Sequence, residues 1–118
     1  MNIFIDGGTR GSRICLVDGD KTIVHVRKTS TGDTPTNNEL EYLALEYALR
    51  YIDNKYRGKK IKIYSDSKLI VNQINGKWRV TTESLLPLYK KCKAKMTDNI
   101  KLIWISRNFN LAGHVLED

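Results

Sequence analysis

Two phrases in this 118-residue chain stop an apolar run on an aspartate: Ile3-Phe4-Ile5-Asp6 and Ile61-Lys62-Ile63-Tyr64-Ser65-Asp66. A carboxylate at the C-terminal edge of a strand sits where open α/β sheets place their sites. A third acid, Glu41, is embedded in an otherwise apolar helical pattern from Leu40 to Ile52. Burying a lone carboxylate is costly, so Glu41 demands a cation or a hydrogen-bonding site. If the strands ending in Asp6 and Asp66 are neighbours, ~4.8 Å apart, the two carboxylates face each other. One pKa must then rise unless a cation lies between them. With Glu41 reaching over the same edge, three carboxylates and no thiol describe an oxygen-rich site for Mg²⁺ or Mn²⁺. Two such ions suit in-line phosphodiester hydrolysis.

Each acid also has an ordinary explanation. Asp66, before Ser67, is placed to cap the next helix. Asp6 precedes two glycines and fits a turn. Glu41 can be a partly exposed helix residue. For all three explanations to hold together, residue type, position and topology would have to coincide by chance.

The elements that must position these residues follow in chain order. Residues 2–6 read as a buried strand, with Gly7, Gly8 and Gly11 as a flexible turn. Ile14 to Val17 is a second strand. Asp18-Gly19-Asp20 carries a hairpin signal, and Thr22 to Val26 returns as a third strand. Thr29 to Pro35 is a loop. Thr36-Asn37-Asn38-Glu39 has capping-box spacing, and the helix that follows is apolar almost all round to Ile52, hence largely buried. Lys59 to Ser65 is a fourth strand, parallel to the first because a helical crossover leads to it. Ser67 to Ile74 is a short helix ending at Asn75-Gly76. Ser84 to Met96 is another, with Leu85, Tyr89, Cys92 and Met96 on its buried face and Pro87 in its first turn. Ile100 to Ile105 is the last strand, and Asn110 to Glu117 a terminal helix. The order βββ-α-β-α-α-β-α makes one mixed sheet with helices on its faces.

Composition narrows the class. The length suits one domain, residues 1–118. No apolar run approaches the ~20 residues that span a bilayer, and the N-terminus lacks the basic and apolar regions of a signal peptide. The expected setting is therefore cytoplasmic, with no membrane partner, and the expected state is a monomer. Cys15 and Cys92 are too few for a disulfide framework and read as buried free thiols. The net charge of +7 favours polyanionic partners, and its excess clusters at residues 55–62 and 90–95.

Several motifs resemble the type 1 ribonuclease H family along most of the chain. Ile5-Asp6-Gly7-Gly8-Thr9-Arg10-Gly11 is similar to its first-strand Asp-Gly-Ser-type motif. Thr36-Asn37-Asn38-Glu39-Leu40-Glu41-Tyr42 resembles Thr-Asn-Asn-x-x-Glu-Tyr, with Glu41 as the family's glutamate. Tyr64-Ser65-Asp66-Ser67-Lys68-Leu69-Ile70-Val71, with Gln73-Ile74-Asn75-Gly76, is similar to a run of the small archaeal- and plant-type members. Leu85-Leu86-Pro87-Leu88-Tyr89 continues that likeness.

The resemblance implies an α/β ribonuclease H-like fold: a five-stranded mixed sheet, three strands antiparallel and two parallel, with helices on both faces. It implies an endonuclease that cuts the RNA strand of RNA/DNA hybrids with two Mg²⁺ or Mn²⁺ ions. Asp6 would bridge both ions, and Glu41 and Asp66 would hold the leaving-group one. Asn37 and Asn38 would contact 2′-hydroxyls, which distinguish RNA from DNA. Thr36 would contact a DNA phosphate, and Gly7 and Lys68 complete the implied nucleic-acid contacts.

The family's basic handle is absent, since only a loop fits between Gly76 and Ser84, as is the Asn-Pro-Gly-rich segment after the first motif. Ile105-Ser106-Arg107-Asn108-Phe109-Asn110 resembles the approach to the family's fourth aspartate, but the matching position holds His114. Three roles are open to it: ligand of the nucleophile-side metal, nearby helper in proton movement or product release, or inert helix residue. An alternative for the whole chain is a hybrid-binding module with weak or no catalysis.

Overall fold

The computed structural model describes residues 1–29 and 31–117. The loop expected over residues 29–35 includes Ser30, which lies outside them. Five strands, β1 (Asn2–Gly8), β2 (Arg13–Asp18), β3 (Lys21–Val26), β4 (Ile61–Ser65) and β5 (Ile100–Trp104), form one sheet in the order β3-β2-β1-β4-β5. The first three are antiparallel, and β4 and β5 run parallel to β1. Among the described residues four helices complete the fold: α1 (Asn37–Lys55), α2 (Lys68–Ile74), α3 (Leu86–Lys95) and α4 (Leu111–Glu117).

Strand alternation sorts the side chains between two faces. Ile3, Ile5, Ile14, Leu16, Ile61, Ile63 and Leu102 join the main core, which α1, α2 and α3 cover. Phe4, Cys15 and Val17 point the other way and pack under Ala112 and Leu116 of α4. Helices therefore lie on both faces, with one short helix alone on the second. Asp6 shares the parity of Phe4, so its carboxyl emerges on the α4 side, just past the end of the β1–β4 ladder.

α1 starts at the capping box that its sequence encodes. Thr36 Oγ1 accepts from Glu39 N–H at 3.2 Å, and Glu39 Oε1 accepts from Thr36 N–H at 3.0 Å. Its buried face runs from Leu40 to Ile52 and includes Glu41 and Glu46. Both cysteines are buried and free, as expected. Among the described residues no helix is long and apolar enough to cross a membrane.

Several boundaries move. Gly7 and Gly8 belong to β1, pairing with Ile14 and Arg13, and do not form the flexible turn expected there. Glycine keeps its N–H and C=O, so a ladder runs through it, and the turn falls at residues 9–12. β4 starts at Ile61 and α3 at Leu86, each two residues late, and β5 ends one residue early at Trp104. A single 3₁₀ turn, Arg107–Phe109, leads into α4.

Candidate active site

The β1–β4 register aligns Ile3 with Ile63 and Phe4 with Tyr64. Continued two residues beyond the ladder, that register brings Asp6 opposite Asp66. Glu41 comes from the first turns of α1. One carboxylate oxygen from each of the three lies within 4.8 Å of the others.

Close approach of α1 to β1 makes this possible, and Gly7 permits it. A Cβ at Gly7 would lie 2.4 Å from the backbone carbon of Leu40 and 2.7 Å from the nitrogen of Glu41. No side chain fits there. The Gly7 N–H instead donates to Glu41 Oε1 at 2.6 Å, a buried bond that anchors the glutamate against the strand end.

Asp66 is oriented from two sides. Asn110, fully buried, donates from Nδ2 to Asp66 Oδ2 and to the Ile5 carbonyl, each at 2.9 Å. The Trp104 indole donates to the Asp66 carbonyl at 3.2 Å. Ser67, and not Asp66, caps α2, accepting from Ile70 N–H at 3.3 Å. That leaves the Asp66 carboxylate directed at the site. α4 closes the site from above: a Cβ at Gly113 would lie 3.4 Å from Asp66 Oδ2 and 3.6 Å from Asp6 Oδ2.

The electrostatics are those of crowded acids. Burial, then the neighbouring Asp66 charge, pushes Asp6 up to about 6. Burial, then Asp6 and Asp66, holds Glu41 well above the usual carboxylate range. Arg107 favours the ionised form of Asp6, but its Nε is bonded to Glu117 Oε1 at 2.9 Å. An oxygen-only donor set under mutual repulsion fits a hard divalent cation, which would restore the ionised form of each acid. The site opens into a cavity of about 440 Å³ whose walls include Asn37, Ser67, Arg10, Arg107 and Glu117.

The remaining residues named from the sequence fall at or beyond the rim. Asn37 lines the cavity, while Thr36 and Asn38 are exposed at the start of α1. Lys68 is exposed, with its ammonium 5.1 Å above the Trp104 ring. The His114 ring is not brought to the three carboxylates. Its Nε2 donates to the Asn108 carbonyl at 2.7 Å, and its Nδ1 faces Glu117 Oε2 at 3.7 Å. Asn110, Arg107 and Glu117 did not stand out in the sequence. For Asn110 the available signal was an amide at the end of the 105–110 run, just before the last helix. Its contacts with Ile5 and Asp66, 105 and 44 residues away, leave no local trace.

The sequence matches the family described as reverse transcriptase-like over residues 6–116, nearly the whole chain. The chain belongs to that family, among the type 1 ribonucleases H. Bifunctional protein Rv2228c of Mycobacterium tuberculosis is 29% identical over 116 residues, which take in 89% of this chain and 31% of that protein. An uncharacterized protein of Mycobacterium bovis matches to the same extent. The chain thus spans under a third of the length of these curated relatives.

Solved ribonucleases H share the whole fold. The N-terminal RNase H domain of the Mycobacterium tuberculosis protein superposes with a TM-score of 0.73 at 26% identity, covering 98% of this chain and 92% of that one. LC11-RNase H1, solved in complex with an RNA/DNA hybrid, gives 0.74 at 25%, covering 93% and 88%. RNase H1 of the halophilic archaeon Halobacterium salinarum gives 0.77 at 23%, covering 98% and 92%, and that likeness speaks for the fold alone. The ribonuclease H fold expected from the motifs, with its strand order and two-faced helix cover, is the fold found.

Proposed function

We propose that this chain hydrolyses the RNA strand of RNA/DNA hybrids as a metal-dependent endonuclease. The observation that carries the reading is the convergence of Asp6, Glu41 and Asp66 oxygens within 4.8 Å, in a cavity rimmed by Asn37. The relative solved with a bound hybrid supports the choice of substrate. Asp6, Glu41 and Asp66 would hold two Mg²⁺ or Mn²⁺ ions, which when bound supply an activated water and stabilise the leaving oxygen.

The chain's own residues orient these groups. Gly7 N–H and Asn110 Nδ2 fix Glu41 and Asp66, so the acids reach the substrate already aligned. Asn37 and Asn38 are proposed to read 2′-hydroxyls with their amides, which both donate and accept. Thr36 is proposed to contact a DNA-strand phosphate, because accepting from Glu39 N–H still leaves its hydroxyl able to donate. Gly7 and Lys68 are proposed as further contacts, and the exposed lysines of α3 as sources of general phosphate attraction. His114 matches the family's fourth position in sequence, and its ring would have to swing away from Asn108 to reach the three carboxylates.

The test is cleavage of matched RNA/DNA, RNA/RNA and DNA/DNA duplexes with Mg²⁺ and with Mn²⁺. The expected result is cleavage of the hybrid alone, abolished in Asp66→Asn. Folded wild-type protein that cuts nothing with either ion overturns the proposal. Salt-dependent hybrid binding without turnover would then identify a binding module.

A further inference from the structure

Glu117 is an acid of the catalytic cavity to which the family's motifs assign no role. It lines the same cavity as Asp6, Glu41 and Asp66, and it sits one helical turn beyond His114. Residues three apart share a helix face, so positions 114 and 117 look toward the same edge of the sheet. Helical side chains lean back toward the N-terminus and cover the preceding turn. On α4 the preceding turn contains Gly113, which lies against the Asp6 and Asp66 carboxylates. A glutamate at 117 starts one turn from those acids, and its carboxylate has to turn from Arg107 to join their cluster.

The chemistry of the two positions differs in charge. Three carboxylates and a neutral imidazole leave two divalent cations short of one negative charge, and four carboxylates balance them. The imidazole is also occupied, its Nε2 donating to the Asn108 carbonyl at 2.7 Å. The Glu117 carboxylate is held at the cavity wall by an exposed partner, Arg107 Nε at 2.9 Å. That contact is solvent-accessible and therefore weak, so it can be exchanged for a cation at little cost.

We propose that Glu117, and not His114, supplies the fourth protein ligand of the metal site, with Arg107 holding it at the cavity wall until a divalent cation enters. The inference rests on the metal-dependent reading above for its cation, but it concerns where the ion is held and not what is cut.

The test is Mn²⁺ binding to the full chain, followed by electron paramagnetic resonance of the free ion, in wild type, Glu117→Gln, His114→Ala and the double variant Glu117→Gln/His114→Asp. Loss of a direct ligand is expected to weaken at least one binding step about tenfold or more. That loss belongs to Glu117→Gln, with a smaller effect in His114→Ala and recovery in the double variant, which returns a carboxylate to the same face. Wild-type binding in Glu117→Gln overturns the inference, as does an equal or larger loss in His114→Ala. Hybrid cleavage by wild type is scored separately. Cleavage with an unaffected Glu117→Gln sinks this inference alone, and a Glu117-dependent Mn²⁺ site without cleavage sinks the proposed reaction alone.

Discussion

The two ends of the β1–β2 ladder both carry an aspartate, and the two are treated in opposite ways. Asp18, which pairs with Ile3 near the start of β1, accepts from the Tyr51 hydroxyl at 2.7 Å and the Tyr56 hydroxyl at 2.6 Å. Lys55 lies 3.9 Å away. Burial pushes its carboxyl up, but the two hydroxyls and the lysine outweigh burial and hold it below the usual range. At the other end Asp6 faces Asp66 and Glu41 and is pushed up to about 6, by burial and then by Asp66. A carboxylate surrounded by donors stabilises the fold in its ionised form. A carboxylate surrounded by acids opposes the fold until a cation arrives, which is the arrangement of a site and not of a scaffold.

Substitutions at the two aspartates should separate these roles. Asp6→Asn is expected to cut hybrid cleavage by a factor on the order of a thousand, the loss of several kcal/mol of charge stabilisation in the reacting complex. The same variant should make the metal-free chain more stable, by roughly 1–3 kcal/mol in urea titration, because one member of a repelling group is gone. Asp18→Asn should do the reverse, costing about 1–2 kcal/mol while cleavage stays near wild type. If both variants destabilise the metal-free chain alike, the contrast between the two ends is wrong.

Gly7→Ala sharpens the geometry behind the site. A methyl 2.4 Å from the Leu40 backbone forces α1 off β1, and overpacking of that kind costs about 3 kcal/mol. Thermal melting should show the loss, and cleavage should fall with it because Glu41 loses its Gly7 anchor. Gly8→Ala is the control, since a Cβ there meets only the Leu116 side chain at 3.7 Å.

Asn110→Ala is a milder break. It removes three bonds of a fully buried side chain, two from Nδ2 at 2.9 Å and one that Oδ1 accepts from Ala112 N–H at 3.2 Å, for about 1–3 kcal/mol. Cleavage should drop about tenfold, since Asp66 loses an orienting donor. An unchanged rate would mean that Asp66 is held by its backbone alone.

The smallest effect is in the pH dependence, and its sign differs between the two ends. Between pH 3.8 and about 6 the folded chain holds a proton on Asp6 that the unfolded chain releases. The metal-free fold therefore loses stability as pH rises through that window. Asp18, with its folded pKa lowered, behaves oppositely: its contribution is present above the ordinary carboxylate value and is lost as pH falls through the folded one. Urea titrations across this range should show the first slope shrink in Asp6→Asn, where the buried Glu41 keeps its share, and vanish with Mg²⁺ added, and the second vanish in Asp18→Asn.

What was legible in the chain was local or periodic. Alternation placed Ile3, Ile5, Ile61 and Ile63 in strands, and the capping box located the start of α1, because these signals act over a few residues. The buried Glu41 was legible as an anomaly, since a charge inside an apolar pattern needs a partner wherever the helix lies. The single crossover then put Asp6 and Asp66 at one edge. Gly7 was misread as a turn, because its function depends on Leu40, thirty-three positions away and invisible to local pattern.

The sequence by itself thus determined the three acids and the topology that gathers them. Only the tertiary structure decided how they are held. The Gly7 anchor and the Asn110 amide shared by Ile5 and Asp66 are contacts between distant segments. They depend on angstrom-scale separations between packed backbones, and residue order does not carry those distances.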